Sequence, residues 1–124
     1  MKLIVAFVPM GFLAPISNEL EKRRIHGMSV STVHGFGQEH DALHSDQQSY
    51  LGIERTKKIR IEIACHDEEV ELILNTIYEV AHTGLRGNGK VFVLPILDAL
   101  RLKTGERGET ALGQQNWPQA GRQI

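Results

Sequence analysis

The sequence predicts an α+β fold, one antiparallel β-sheet with two helices on a single face. Apolar runs of strand length and runs of helical period follow one another as strand, helix, strand, strand, helix, strand. The chain has 124 residues, 41% apolar and 23% charged, enough for one buried core but hardly for two.

Lys2 to Val8 is apolar after its lysine and predicts a first strand. Pro9 and Gly11 break the apolar run, and Phe12 and Pro15 spoil the cleavage pattern of a secretory leader. Leu13, Ile16 and Leu20 share one helical face, with Gly27 expected to close that helix. Val30, Thr32 and Val33 predict a strand from Met28 to Phe36, ending in Gly35-Phe36-Gly37. From Lys57 to Cys65 the alternation is clean: Ile59, Ile61, Ile63 and Cys65 on one side, Lys58, Arg60 and Glu62 on the other. Val70, Ile73, Leu74, Ile77 and Ala81 form a helical stripe, with Asp67 expected as its cap and His82 and Gly84 at its close. Lys90 to Leu94 predicts the fourth strand, and Ile96 to Leu100 a short turn of helix. That order is the ferredoxin-like βαββαβ pattern, with a long loop between strands two and three. Strand one is apolar on both faces, so the sheet face opposite the helices needs a cover, and self-association is the simplest.

Residues 1–108 are expected to form the domain, and 109–124, rich in Gln and Gly without a period, a flexible tail in which Trp117 stands out. With 14 basic and 15 acidic residues the formal charge is −1, so no nucleic-acid partner is expected and any anion site must be local. The single cysteine, Cys65, cannot close an internal disulfide. No stretch reaches the ~18 apolar residues of a spanning helix. Together these predict a cytoplasmic protein.

The chemistry legible here is that of binding. Gln38 to Thr56 is a long insertion without a consistent apolar period, as in a binding loop or a tolerated surface excursion. Gly84 to Lys90 has the glycine and lysine spacing of a phosphate loop, but Val91 stands where a magnesium-binding hydroxyl belongs, and the segment runs from helix to strand. Freed backbone N–H groups and Lys90 can still cradle phosphate oxygens, although such a connection is also common for steric reasons alone. Arg101, Lys103 and Arg107 form a basic cluster, with Arg101 and Lys103 on one side if the segment is extended. His40 and His44 have helical ligand spacing but lie in a segment that does not look helical, and Cys65-His66 has no second cluster at zinc-finger spacing, so no metal site is expected. No catalytic set is legible, and the protein is expected not to be an enzyme.

Gly27-Met28-Ser29-Val30, Gly35-Phe36-Gly37, Thr83-Gly84, Gly87-Asn88-Gly89-Lys90, Val91-Phe92-Val93-Leu94-Pro95 and Arg101 to Gly108 together resemble the motifs of PII-type signal-transduction proteins, from Met1 to about Glu109. The resemblance implies a homotrimer with three clefts between neighbours, each binding ADP, AMP or ATP, and a loop that reports the ligand state to a membrane transporter or a cytoplasmic enzyme. It implies that Ser29 and Ala64 lie near the adenine and that Gly35, Phe36, Gly37 and Gln38 pass beside the ligand. Gly87, Asn88, Gly89 and Lys90 would hold phosphates, with Arg101 and Lys103 reaching them from the adjacent subunit. Gln38 and Glu39 replace the arginine and glutamine of many members, so a carboxylate stands where magnesium and 2-oxoglutarate would bind, while Lys58 is retained. Leu51 falls where some relatives carry a modified tyrosine, with Tyr50 adjacent. These departures are similar to divergent PII-like proteins, a group with bicarbonate-responsive, carboxysome-associated members. They imply that Glu39 and Lys58 select a small anion such as bicarbonate. The alternatives are a 2-oxoglutarate-sensing nitrogen regulator, a slow ATPase and a metal-binding trimer using His40 and His44.

Overall fold

Lys2–Val8 extends as strand β1, in register with two neighbours at once. The structure, a computed structural model, describes residues 1–34, 58–82 and 89–113. After a 3-10 turn over Met10–Phe12, helix α1 spans Leu13–Lys22 and buries Ile16 and Leu20. Pro15 falls in its first turn, where no intrahelical donor is lost. The helix does not run on to Gly27. It stops at Arg24, which takes φ 69°. The Arg24 N–H donates to the Glu21 carbonyl at 3.0 Å and the Ile25 N–H to the Leu20 carbonyl at 2.9 Å. This is a Schellman ending with arginine in the left-handed position usually held by glycine, and buried Ile25 and Leu20 supply its apolar contact.

Strands β2 (Ser29–Val33) and β3 (Lys58–Cys65) pair antiparallel. Gly35 and Phe36, the expected end of the second strand, lie outside the described residues. A 3-10 turn over Asp67–Glu69 then opens helix α2, Val70–Ala81. The expected cap Asp67 lies one residue too late: His66 takes the extended cap position and its N–H donates to the Glu69 carboxylate at 2.8 Å. Strand β4, Lys90–Pro95, completes a sheet of order β2-β3-β1-β4, antiparallel throughout. That is the ferredoxin-like arrangement.

Ile4, Ala6 and Val8 of β1 and Ile59, Ile61, Ile63 and Cys65 of β3 meet Ile16, Leu20, Ile25, Ile73, Ile77 and Ala81 in one closed core. Thr76 is fully buried among them and is satisfied twice, donating to the Leu72 carbonyl at 2.7 Å and accepting from Arg23. The expected helix over Ile96–Leu100 does not form. That segment is irregular and leads into a hairpin closed by the Leu100–Arg107 bridge, with Asp98 bonded to Arg107 and to the Ala99 N–H. Glu109, expected to open the flexible tail, instead lies in a further 3-10 turn, Gly108–Leu112, while 114–124 and Trp117 are outside the described residues.

Candidate functional site

The alternation of the strands sorts the candidate residues onto the face that carries no helix. Register sets Leu3, Val5 and Phe7 beside Ala64, Glu62 and Arg60 on one side, and beside Leu94, Phe92 and Lys90 on the other. Ser29, Ser31 and Val33 of β2 extend the same face next to Glu62, Arg60 and Lys58. Ser29, Lys58, Ala64 and Lys90 therefore share one surface. Its centre is apolar, with Phe7 and Phe92 in edge-to-face contact at 6.2 Å and Arg60 lying 5.5 Å above Phe7. Arg60 also pairs with Glu62 at 2.8 Å.

Gly89 enters β4 with φ 126°, and a Cβ there would stand 2.0 Å from the Phe7 carbonyl oxygen. Close approach to β1 thus demands glycine at this position whatever else it does. Lys90 follows it, exposed, and makes no ion pair among the described residues.

Arg101 and Lys103 sit in the hairpin after β4, and the segment is a tight turn, with the Gly105 N–H donating to the Arg101 carbonyl at 2.7 Å. The strand-like alternation that would set the two cations side by side does not apply. Nor is the basic cluster uncompensated: Arg101 lies 3.4 Å from Glu106, and Arg107 binds Asp98, whose carboxyl it holds below the usual range. Lys103 makes no ion pair among the described residues.

These groups do not converge within one chain. Lys90 opens β4 opposite Phe7, while Pro95 closes it opposite Lys2, and the hairpin carrying Arg101 lies beyond that second end. Five residues of strand separate the two ends by about 17 Å. Ser29 stands on the far edge strand, three strand spacings or about 14 Å from β4. Lys90 and Arg101 are thus set toward opposite ends of β4 in one copy. Gly35, Phe36, Gly37, Gln38, Glu39, Gly87 and Asn88 lie outside the described residues, as do His40, His44, Tyr50 and Leu51.

Sequence reasoning missed the polar cluster where β3, the chain start and the C-terminal turn meet. Asp67 receives the Met1 ammonium at 2.8 Å and Lys2 at 2.9 Å, and these bonds pull its carboxyl down to about 2. His66 reaches Glu109 and Gly113, more than forty positions along the chain. Nothing local signals such contacts. Burial raises the Cys65 thiol to about 11, so it remains protonated at neutral pH.

Residues 1–106 match the nitrogen regulatory protein P-II family. The chain belongs to this family. Among its relatives is nitrogen regulatory protein P-II 2 of Methanothermobacter thermautotrophicus, 36% identical over 112 residues, covering 90% of this chain and 97% of that protein. The P-II protein of Nostoc punctiforme is 31% identical over 112 residues, covering 90% of this chain and all of its own length. A P-II homolog of Arabidopsis thaliana is 41% identical over 97 residues, 77% of this chain but only 50% of the plant protein. The crystal structure of Arabidopsis thaliana PII bound to citrate superposes with a TM-score of 0.71 at 36% identity, covering 89% of this chain and 90% of that one. The resemblance drawn from the motifs and the ferredoxin-like fold both hold. P-II proteins are regulators, and no helix among the described residues is long and apolar enough to cross a membrane.

Proposed function

We propose that this P-II chain is a non-catalytic, cytoplasmic homotrimer that binds ADP, AMP or ATP in the clefts between copies and passes the ligand state to a transporter or enzyme through residues 38–56. The dispersal of the phosphate-suited cations carries this proposal. Lys90 lies at one end of β4 and Arg101 and Lys103 beyond the other, an arrangement that a second copy would complete by bringing the two ends to one phosphate chain. The exposed apolar centre of the open face, with Phe92 at 48% and Leu94 at 42%, supplies the reason to associate. Ser29 and Ala64 are proposed at the adenine, Gly35, Phe36, Gly37 and Gln38 along the ligand, and Gly87, Asn88 and Gly89 with Lys90 at the phosphates.

Gln38 and Glu39 remove a cation and add an anion near the terminal phosphate, so ADP and AMP compete well with ATP. The same carboxylate repels a doubly charged effector more than bicarbonate, which Lys58 can accept. Bicarbonate then tightens ADP binding, and ADP tightens bicarbonate by the same factor. A relative bound to citrate favours a second reading, in which the effector is a dicarboxylate such as 2-oxoglutarate.

Light scattering should give three times the 13.9 kDa chain mass. Calorimetry with ADP, alone and with bicarbonate or 2-oxoglutarate, separates the two effectors: tightening by 2-oxoglutarate alone selects the second. Lys90→Ala should weaken ADP binding by roughly 1 to 3 kcal/mol, as for a lost charged hydrogen bond. Unchanged affinity would put the phosphates elsewhere.

A further inference from the structure

We infer that Glu106 is a positioning residue for Arg101: braced by Thr104, its carboxylate holds the guanidinium at Nε and leaves the outer edge, Nη1 and Nη2, to receive a phosphate end-on. The bracing starts in the backbone of the hairpin after β4. The Arg101 N–H donates to the Glu106 carbonyl at 2.9 Å, the Gly105 N–H donates to the Arg101 carbonyl at 2.7 Å, and Leu100 and Arg107 bridge one step nearer the base. Gly105 turns the chain at φ 80°, where a side chain is strained. Residues 101 and 106 thus face each other with their main chains fixed.

Thr104 then fixes the Glu106 side chain. Its hydroxyl donates to Glu106 Oε1 at 2.9 Å and accepts the Glu106 N–H at 3.2 Å. The same oxygen, Oε1, lies 3.4 Å from Arg101 Nε. Both side chains of that ion pair are close to half exposed, 42% and 48%, so it adds little to stability and its consequence is orientation.

A guanidinium carries five N–H donors in one plane, one on Nε and two on each Nη. Glu106 meets Arg101 at Nε, and neither Nη makes a hydrogen bond among the described residues. The edge formed by Nη1 and Nη2 presents two parallel N–H groups, which suit two oxygens of one phosphate. Gly113 lies alongside, where a Cβ would stand 3.2 Å from Nη2, so glycine keeps the flank of that edge open. The other guanidinium of the hairpin, Arg107, is turned to Asp98 instead.

A carboxylate at this place has two opposed effects on a phosphate: it repels the anion, and it aims the cation that binds it. Solvent around the half-exposed pair screens the repulsion, whereas losing the aim frees a long side chain that must be ordered again on binding. Positioning is the larger effect.

That a phosphate is the ligand rests on the nucleotide proposal above, whereas the hold on Arg101 does not. The test compares the parent chain with Glu106→Ala, Glu106→Gln and Thr104→Val, by calorimetry with ADP and with adenosine, and by the NMR signal of the Arg101 Nε–H without ligand. Glu106→Ala should weaken ADP binding by about tenfold and Thr104→Val by less, as for coupled neighbours, with adenosine unchanged. Glu106→Gln keeps an acceptor and removes the repulsion, so it should bind ADP at least as well as the parent. In an Arg101→Ala background Glu106→Ala should have no further effect. The Nε–H signal should move toward that of free arginine in Glu106→Ala. ADP binding that Glu106→Ala leaves unchanged or tightens, an equal loss for adenosine, the same loss in the Arg101→Ala background, or Glu106→Gln as weak as Glu106→Ala overturns the inference. A parent chain that binds no ADP sinks the nucleotide reading, and the Nε–H signal still decides the hold: one signal shared by the parent and Glu106→Ala overturns it.

Discussion

On the helix side of the sheet Ile4, Ala6 and Ile61 have no exposed surface, whereas on the opposite side Phe92 and Leu94 keep 48% and 42% of theirs. The same strands build both faces, and period-two alternation sends alternate residues each way. The covered face is apolar and closed over β1 and β3, while on its edge strands Val30 and Val93 stay 43% and 40% exposed. The open face mixes Leu3, Phe7, Phe92 and Leu94 with Arg60, Glu62, Lys58 and Lys90, a composition for meeting another surface while keeping charges at its margins. The closed core thus lies on one side of the layer and the proposed contact surface on the other.

The sharpest way to break this comparison is to truncate one residue on each face. Ile61→Ala should cost roughly 2 to 5 kcal/mol in denaturant unfolding, for a cavity in a closed core. Phe92→Ala should leave the folded chain nearly as stable and weaken association instead. An equal loss from both, at unchanged oligomer mass, would make the open face a second core. Gly89→Ala comes next. The new Cβ collides with the Phe7 carbonyl at a backbone angle of φ 126°, so at least ~1 to 3 kcal/mol is expected from the backbone strain alone, read as a lowered unfolding midpoint.

Most of the architecture was legible because it is local. β1, β3 and β4 follow from apolar runs and alternation, and α2 from its stripe. Errors arose where a spacing imitates a motif. Ile96, Leu97 and Leu100 suggest a helical face, yet Leu97 is 95% exposed and the segment is irregular. Gly27 suggested a helix end, but the stop is made by Arg24, whose conformation no propensity favours. The candidate site was legible only as residue types. That Lys90 and Arg101 fall at opposite ends of β4 depends on register, and that His66 meets Glu109 and Gly113 depends on tertiary folding.

Two smaller effects sharpen the picture of the polar rim. Asp67 is depressed to about 2, so its stabilisation is present above about pH 4 and is lost as pH falls toward 2. His66 is raised, so its contribution is complete below about pH 6.5 and is lost as pH rises through its folded value. Melting temperature against pH should therefore peak in the weakly acidic range, with Asp67→Asn flattening the acid limb and His66→Gln the other. Smallest is Arg24→Gly, which should raise stability by about 1 kcal/mol by relieving the left-handed position. A loss of stability there would mean that the arginine side chain matters more than its backbone.

Completion of the site across copies is tested most directly by mixing two defective chains. Lys90→Ala and Arg101→Ala homotrimers should each bind ADP weakly. After joint unfolding and refolding, random trimers should regain parent-like affinity at about one quarter of the sites, where an intact Lys90 faces an intact Arg101. A mixture that binds no better than its separate components, with exchange of chains shown by mass, would contradict a site shared between neighbours.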